Sequence, residues 1–332
     1  MRKISNFNQD WYFLPDKVEQ DLPDSRFERV TLPHTNKLFP SYFVDNHDYQ
    51  FVSTYRKRFT ISEDISGKRI FIDFEGAMLM STVYINGTLL GVHKGGYTPF
   101  SFEITEHVVA GENLLTVYVD ATEDKGIPPY GNLVDYLTFG GLYRDVYLRI
   151  VEACHIANVF ARPMDVLTSP SLECDIQLSQ WDPRLKVEGI LEDAQGRMLA
   201  RQIQDVSAES VTLAFPELEQ IALWSLESPT LYNLIVVLSV NGEPVDREVV
   251  RFGFRSTKFS DDGHFYLNGE PLKLFGLNRH QTYPYIGAAA PARLQQLDAE
   301  VLKYELGCNV IRTAHYAQSP HFLNRCDEIG LL

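Results

Sequence analysis

Two short polar runs carry the side chains best suited to hold a ligand: Asn278-Arg279-His280 and Arg312-Thr313-Ala314-His315. Each follows an apolar stretch, Leu272 to Leu277 and Cys308 to Ile311. Arginine offers a fixed charge and a fork of donors, while asparagine and neutral histidine both donate and accept. The chemistry on offer is therefore hydrogen bonding and charge stabilisation. Asp135 adds a loop carboxylate upstream, and Asp327-Glu328 is an adjacent acidic pair near the end of the chain. That pair sits late in a predicted helix, before Gly330, where it is expected to be solvated or salt-bridged rather than catalytic. Plainer roles exist for the others too. A histidine can cap a strand end, Arg312 can bridge strand-end carbonyls, and Asp135 can close a turn.

The elements that must position these runs follow a β-α-β-α-β pattern. Phe265-Tyr266-Leu267 and Leu272-Lys273-Leu274 flank Asn268-Gly269-Glu270-Pro271, a hairpin. Leu272 to Leu277 reads as a strand buried on both faces. A helix is predicted from about Ala292 to Leu306, with Leu294, Leu297, Val301 and Tyr304 on one face, Pro291 at its start and Gly307 as its cap. Cys308 to Ile311 reads as a second buried strand. Ser319-Pro320 opens a second helix with Phe322, Leu323, Cys326 and Ile329 inward, and Leu331-Leu332 begins a third strand. This is the beginning of a parallel α/β domain, and in barrels of that class the working groups gather at the C-terminal ends of the strands. Both polar runs therefore open onto one face. A (β/α)8 barrel takes about 250 residues, so residues 257–332 are expected to form only its truncated start.

Upstream the period changes to two. Ile70, Ile72 and Phe74, then Val83 and Ile85 before Asn86-Gly87, then Leu115, Val117 and Val119, and Val146, Leu148 and Ile150 all alternate with polar neighbours. Many short strands with turn signals predict a jelly-roll sandwich over residues 1–153. Cys174/Ile176/Leu178, Val187/Gly189/Leu191, Val211/Leu213/Phe215 and Leu234 to Val240 predict an immunoglobulin-like sandwich over 154–256. The fold class is mainly β.

Composition narrows the partners. The chain has 332 residues, 44 acidic against 30 basic, for a formal charge of -14. Such a field repels nucleic acid and anionic membranes, and both are discarded as partners. No apolar run reaches membrane-spanning length. The first residues lack the apolar segment of a secretory signal, and Cys154, Cys174, Cys308 and Cys326 form no C-x-x-C pair, so a cytoplasmic protein with structural thiols is expected. With 20 Phe and 17 Tyr, rings are available for stacking on sugars.

Four motifs now resemble glycoside hydrolase family 2, the family of β-galactosidases, β-glucuronidases and β-mannosidases. Gly140-Gly141-Leu142-Tyr143-Arg144-Asp145-Val146-Tyr147-Leu148 is similar to its GG[IL]YRDVxL signature, and Trp224 to Tyr232 to its W-x-x-E-x-P-x-L-Y. Gly276 to Gln281 resembles G-x-N-R-H-E, and Asn309 to Tyr316 followed by Cys326 to Leu331 resembles N-x-[IV]-R-x-[ST]-H-Y…CDExGL. The four occur in the family's order over about nine-tenths of the chain.

The resemblance implies roles. His280 and His315 would hydrogen-bond sugar hydroxyls, with Asn278 in the same cluster, and Arg312 would sit beside a nucleophilic carboxylate and hold it ionised. Asp135 would reach the barrel mouth, contact the sugar and, in some members, a sodium ion. His34, in Leu32-Pro33-His34-Thr35, also matches a family motif, but a structural role is favoured there. The two glutamates of retaining hydrolysis would lie beyond Leu332, as would the main magnesium ligands, so no cofactor is expected within this chain. The parent is expected to be a homo-oligomeric retaining exo-β-galactosidase, with this chain inactive alone. The alternatives are a β-glucuronidase or other family 2 exo-glycosidase, and a non-catalytic carbohydrate-binding or assembly module. Two departures from the family pattern stand out: Ala317 where proline is usual, expected to loosen the loop behind His315, and Gln281 in place of glutamate, removing a charge near the mouth.

Overall fold

The computed structural model describes residues 1–19, 21–40, 45, 48–61, 65–131 and 134–332. The period-two segments become antiparallel strands because each has one apolar face to bury. Among the described residues, one sheet runs Glu28–Val30, Trp11–Leu14, Val52–Ile61, Gly111–Asp120, Met80–Ile85 and Thr88–Lys94. The facing sheet runs Lys3–Asn6, Val146–Glu152, Lys68–Phe74 and Phe100–Glu103. Ile70, Ile72, Val83, Ile85, Leu115, Val117 and Val119 are fully buried between them with Trp11 and Tyr55. Asn86 and Gly87 take positive φ of 49° and 84°, which gives the hairpin turn the right twist.

The second sandwich sets Ile156–Met164, Ser171–Leu178 and Ser210–Phe215 against Met198–Asp205, Leu185–Glu192, Tyr232–Val240 and Glu243–Phe252. This three-on-four arrangement is immunoglobulin-like. Arg2 joins the two sandwiches. Its guanidinium donates to both oxygens of the fully buried Asp246, at 2.9 and 2.7 Å, and to Ile156 O at 2.6 Å.

After a small sheet of Thr257–Phe259, Phe265–Leu267 and Glu270–Pro271, the chain turns to barrel-type β/α units. Gly276–Arg279 pairs in parallel with Val310–Thr313, and helices α1 (Ala292–Glu300) and α2 (Pro320–Ile329) follow them. Ser319 Oγ caps α2 by accepting from His321 N, and Gly330 ends it in the left-handed region. Leu332 bonds as a third strand would: its amide donates to Asn309 O at 3.0 Å and its carbonyl accepts from Ile311 N at 2.7 Å.

Several local expectations are corrected here. Residues 272–274 do not form the second arm of the hairpin; Glu270–Pro271 does, because Asn268-Gly269 alone makes the turn. The first parallel strand begins only at Gly276, and Leu274, Phe275 and Leu277 are 37%, 62% and 49% exposed. A strand buried on both faces needs cover on both, and this one has Val310–Thr313 as its ladder partner. The second strand likewise lies at Val310–Thr313 rather than Cys308 to Ile311. The first helix stops at Glu300 and passes into a wider turn over Val301–Glu305. Its buried face is Gln295, Ala299 and Leu302, not Leu294, Leu297, Val301 and Tyr304, because it is rotated to meet Arg279. Leu323 on α2 is exposed rather than inward.

Backbone contact is closest at Gly141, whose φ is 119°; a Cβ there would lie 2.5 Å from His34 O and 2.9 Å from Asn36 N. Gly141→Ala is expected to cost about 2 to 3 kcal/mol. Urea denaturation checks this, and a loss below about 1 kcal/mol would mean that the backbones are not locked together at this point.

Candidate functional site at the jelly-roll and barrel seam

The Gly140 to Leu148 motif builds the seam. Arg144 is buried and forms no ion pair among the described residues; its Nη1 donates to Tyr97 O at 3.3 Å and Glu75 O at 3.4 Å, and its Nη2 to Ala317 O. Tyr143 donates its hydroxyl to Gly96 O at 2.6 Å. Asp145 accepts from Asn8 Nδ2, from the Tyr147 hydroxyl and from His321 Nε2, at 3.0, 3.0 and 2.9 Å. Burial pushes the Asp145 carboxyl up, but the bonds from His321 and Asn8 outweigh it and hold it low. The same contact, chiefly the hydrogen bond to Asp145, raises His321. Ala317, where the family pattern has proline, is tied to the jelly roll through its carbonyl, which accepts from Arg144.

The other end of α2 is pinned from the second sandwich. Trp224, buried in the second motif, donates Nε1–H to Asp327 O at 2.7 Å, and Arg251 pairs with Glu328 at 2.5 Å. Asp327 and Glu328 thus serve the seam.

Between these clamps the two strand ends present their histidines. The rings of His280 and His315 have centroids 5.4 Å apart. Tyr136, carried by the jelly roll, lies over both at 5.2 and 6.0 Å. Tyr316 completes the group, stacked on Tyr97 at 4.2 Å and 8°. Burial, then the neighbouring His315, lower the pKa of His280, while Asp135 opposes them. Asp135 itself is exposed, and Asn132 and Leu133, just before it, lie outside the described residues. A cavity of about 450 Å³ adjoins, lined by Tyr97, Pro129, Tyr130, Val134, Tyr136 and His315 among others.

The five residues singled out from the sequence divide in two. His280, His315 and Asp135 come together around Tyr136. Asn278 and Arg312 lie across the ladder from each other, Arg312 Nη1 donating to Asn278 Oδ1 at 3.4 Å, with the arginine exposed. Arg279 leaves the mouth altogether. It is buried over the Phe322 ring and bonds Asp298, Gln295 and Gln318, so it joins the strand to both helices. Gln281 is buried too, its Nε2 donating to Ala288 O at 3.1 Å. Tyr97, Tyr136 and Tyr316 escaped the sequence reading, where the one hint was the aromatic content. Among the described residues, no group of three His, Cys, Asp or Glu ligands includes Asp135.

Comparison with known proteins now bears on the same residues. Three consecutive domains of glycosyl hydrolases family 2 match: the sugar binding domain at 33–151, the family's second domain at 154–255 and its TIM barrel domain at 259–332. The chain belongs to glycosyl hydrolase family 2. It is 44% identical to a beta-galactosidase of Thermoanaerobacter pseudethanolicus, aligning over 100% of this chain and 46% of that protein. A beta-galactosidase of Thermoanaerobacterium thermosulfurigenes is 42% identical over 100% of this chain and 48% of its own length. The crystal structure of a Bacteroides uniformis beta-glucuronidase superposes with a TM-score of 0.90 at 29% identity, covering 100% of this chain and 42% of that one. The chain thus spans about half the length of the curated relatives it matches. No helix among the described residues is long and apolar enough to cross a membrane.

His34, behind the family's double glycine, packs on Phe13 with Nδ1 2.9 Å from the Tyr55 hydroxyl, and burial pushes it down to about 4. The unfolded chain takes up this proton near 6.5, and the folded chain does not until about 4. Stability complete above pH 6.5 is therefore lost as pH falls toward 4, by about 3 kcal/mol from this group. Denaturation midpoints across that window should fall more steeply for the unmodified chain than for His34→Gln; parallel profiles would remove His34 as the cause.

Proposed function

We propose that this chain supplies one wall of the sugar pocket of a retaining exo-β-galactosidase, which hydrolyses terminal β-D-galactosyl residues by double displacement. The observation that carries the reading is the convergence of His280 and His315 beneath Tyr136, beside Asp135. Two strand-end histidines supply hydrogen bonds to ring hydroxyls, and a tyrosine face suits the C–H face of a pyranose. The 44% and 42% identities to beta-galactosidases favour galactosides. Arg312, exposed at the strand end and bonded to Asn278, would in this reading hold a nucleophilic carboxylate ionised. Retaining chemistry needs two carboxyl groups about 5 Å apart, and we assign them to later barrel strands, so this chain alone should not turn over substrate. Magnesium and sodium belong, in this reading, to the whole enzyme.

A neutral galactoside is indifferent to the formal charge of -14. The four free thiols support a cytoplasmic setting, and the exposed Phe275, Leu277 and Leu306 support association with further polypeptide, in a homo-oligomer. The second reading, a β-glucuronidase, draws on the likeness to the Bacteroides uniformis enzyme. A third, a non-catalytic carbohydrate-binding module, draws on the jelly-roll architecture.

The intact gene product, assayed on nitrophenyl β-galactoside and β-glucuronide, should prefer the galactoside by at least about tenfold in kcat/KM. His315→Ala should lower that value by about 10- to 100-fold. Cleavage of the glucuronide alone would transfer the protein to the second reading. A gene product ending at Leu332 that binds galactose without turnover would support the third.

A further inference from the structure

Glu75, Asp145 and His321 meet at the seam, away from the paired histidines, and one donor atom of each lies within 4.8 Å of the other two. They come from three segments: the end of Lys68–Phe74, the start of Val146–Glu152 and the first turn of α2. Asp145 is buried, and the other two are half-buried. Among the described residues, no lysine or arginine forms an ion pair with either carboxylate. Arg144, though adjacent in sequence, turns Nη1 and Nη2 to carbonyls, and among the described residues His321 is the one ion-pair partner of Asp145. Two carboxylates share this poorly hydrated place with the His321 imidazole, the nearby Arg144 charge and the Tyr147 hydroxyl, and a bound cation would offset the repulsion between them. Outer contacts already orient the donors, as they do around bound metals: Asn8 holds the far oxygen of Asp145 and Tyr147 the near one.

We propose that Glu75, Asp145 and His321 form a binding site for one divalent transition-metal ion of the zinc class. One imidazole nitrogen with two carboxylate oxygens suits zinc or cobalt better than magnesium or calcium, which take oxygen cages. A neutral His321 would bind the metal through the Nε2 lone pair with its proton on Nδ1; where the ring starts as the imidazolium, its Nε2 proton leaves to solvent as the metal takes that lone pair. The ion would clip α2, and with it the loop bearing His315 and Tyr316, to the jelly roll. The site is independent of the sugar reading, because it needs neither substrate nor the later strands.

Calorimetric titration of zinc chloride into the 332-residue chain should give one ion per chain, with proton release seen as a dependence of the heat on buffer ionisation. Glu75→Gln and His321→Asn should each weaken binding at least about tenfold, with far-ultraviolet circular dichroism unchanged. Magnesium chloride should give no isotherm. The unmodified chain provides a second measurement that does not rely on variants. Cobalt should broaden the His321 ring protons in NMR spectra and leave those of His280 and His315 sharp. Absence of zinc binding, binding unchanged in both variants, or broadening at His280 and His315 instead would each overturn the assignment.

Discussion

Everything near the site depends on how α2 is held at both ends. At its start, Arg144 and Asp145 of the jelly roll take the Ala317 carbonyl and the His321 ring. At its finish, Trp224 and Arg251 of the second sandwich take the Asp327 carbonyl and the Glu328 carboxylate. The segment bearing His315 and Tyr316 runs directly into that helix. A helix clamped by two separate domains has little freedom to slide, so the spacing of His315 from His280 and from Tyr136 follows from contacts made far from any ligand.

The polar character of the clamp has a physical reason. Carbonyls at a partly buried seam lose some of their water and gain from a protein donor, by up to about 1 to 3 kcal/mol where burial is complete. Arg144 meets that need at three of them, on Glu75, Tyr97 and Ala317, with a group that stays charged at every accessible pH. A lysine could not reach three carbonyls in one plane. Apolar packing alone would leave those acceptors unmet and would not fix the register between the jelly roll and the barrel loop. Close approach by the double glycine completes the lock, since side chains at Gly140 and Gly141 would strike Asn36 and His34.

Legibility of the sequence follows from how local each signal is. Strands such as Lys68–Phe74 and Ser171–Leu178 were readable because alternation and burial are properties of one segment packed on one face. The caps of α2 were readable for the same reason, through Ser319 and Gly330. The strand at Gly276–Arg279 was misjudged, because an apolar run says what a segment could bury and not which neighbours cover it. The rotation of α1 was hidden for a related reason. Its inner face is chosen by Arg279, a residue of another element, which draws in Gln295 and displaces Leu297 and Tyr304 to solvent. The histidines of the mouth were found through motif order, whereas Tyr136 and Tyr97 needed the fold, since nothing local marks a jelly-roll ring that will lie over a barrel strand.

The rings and the polar strand ends of the candidate site come from different domains. A barrel strand end supplies donors and acceptors on a rigid scaffold but little flat apolar surface. A jelly-roll loop supplies rings but cannot by itself place them to better than its own mobility. Setting Tyr136 against His280 and His315 combines the two, and only the clamped helix makes that combination precise enough to matter. Substitutions at Arg144 or Trp224 should therefore act on ligand contacts through position alone, leaving the chemistry of the histidines intact.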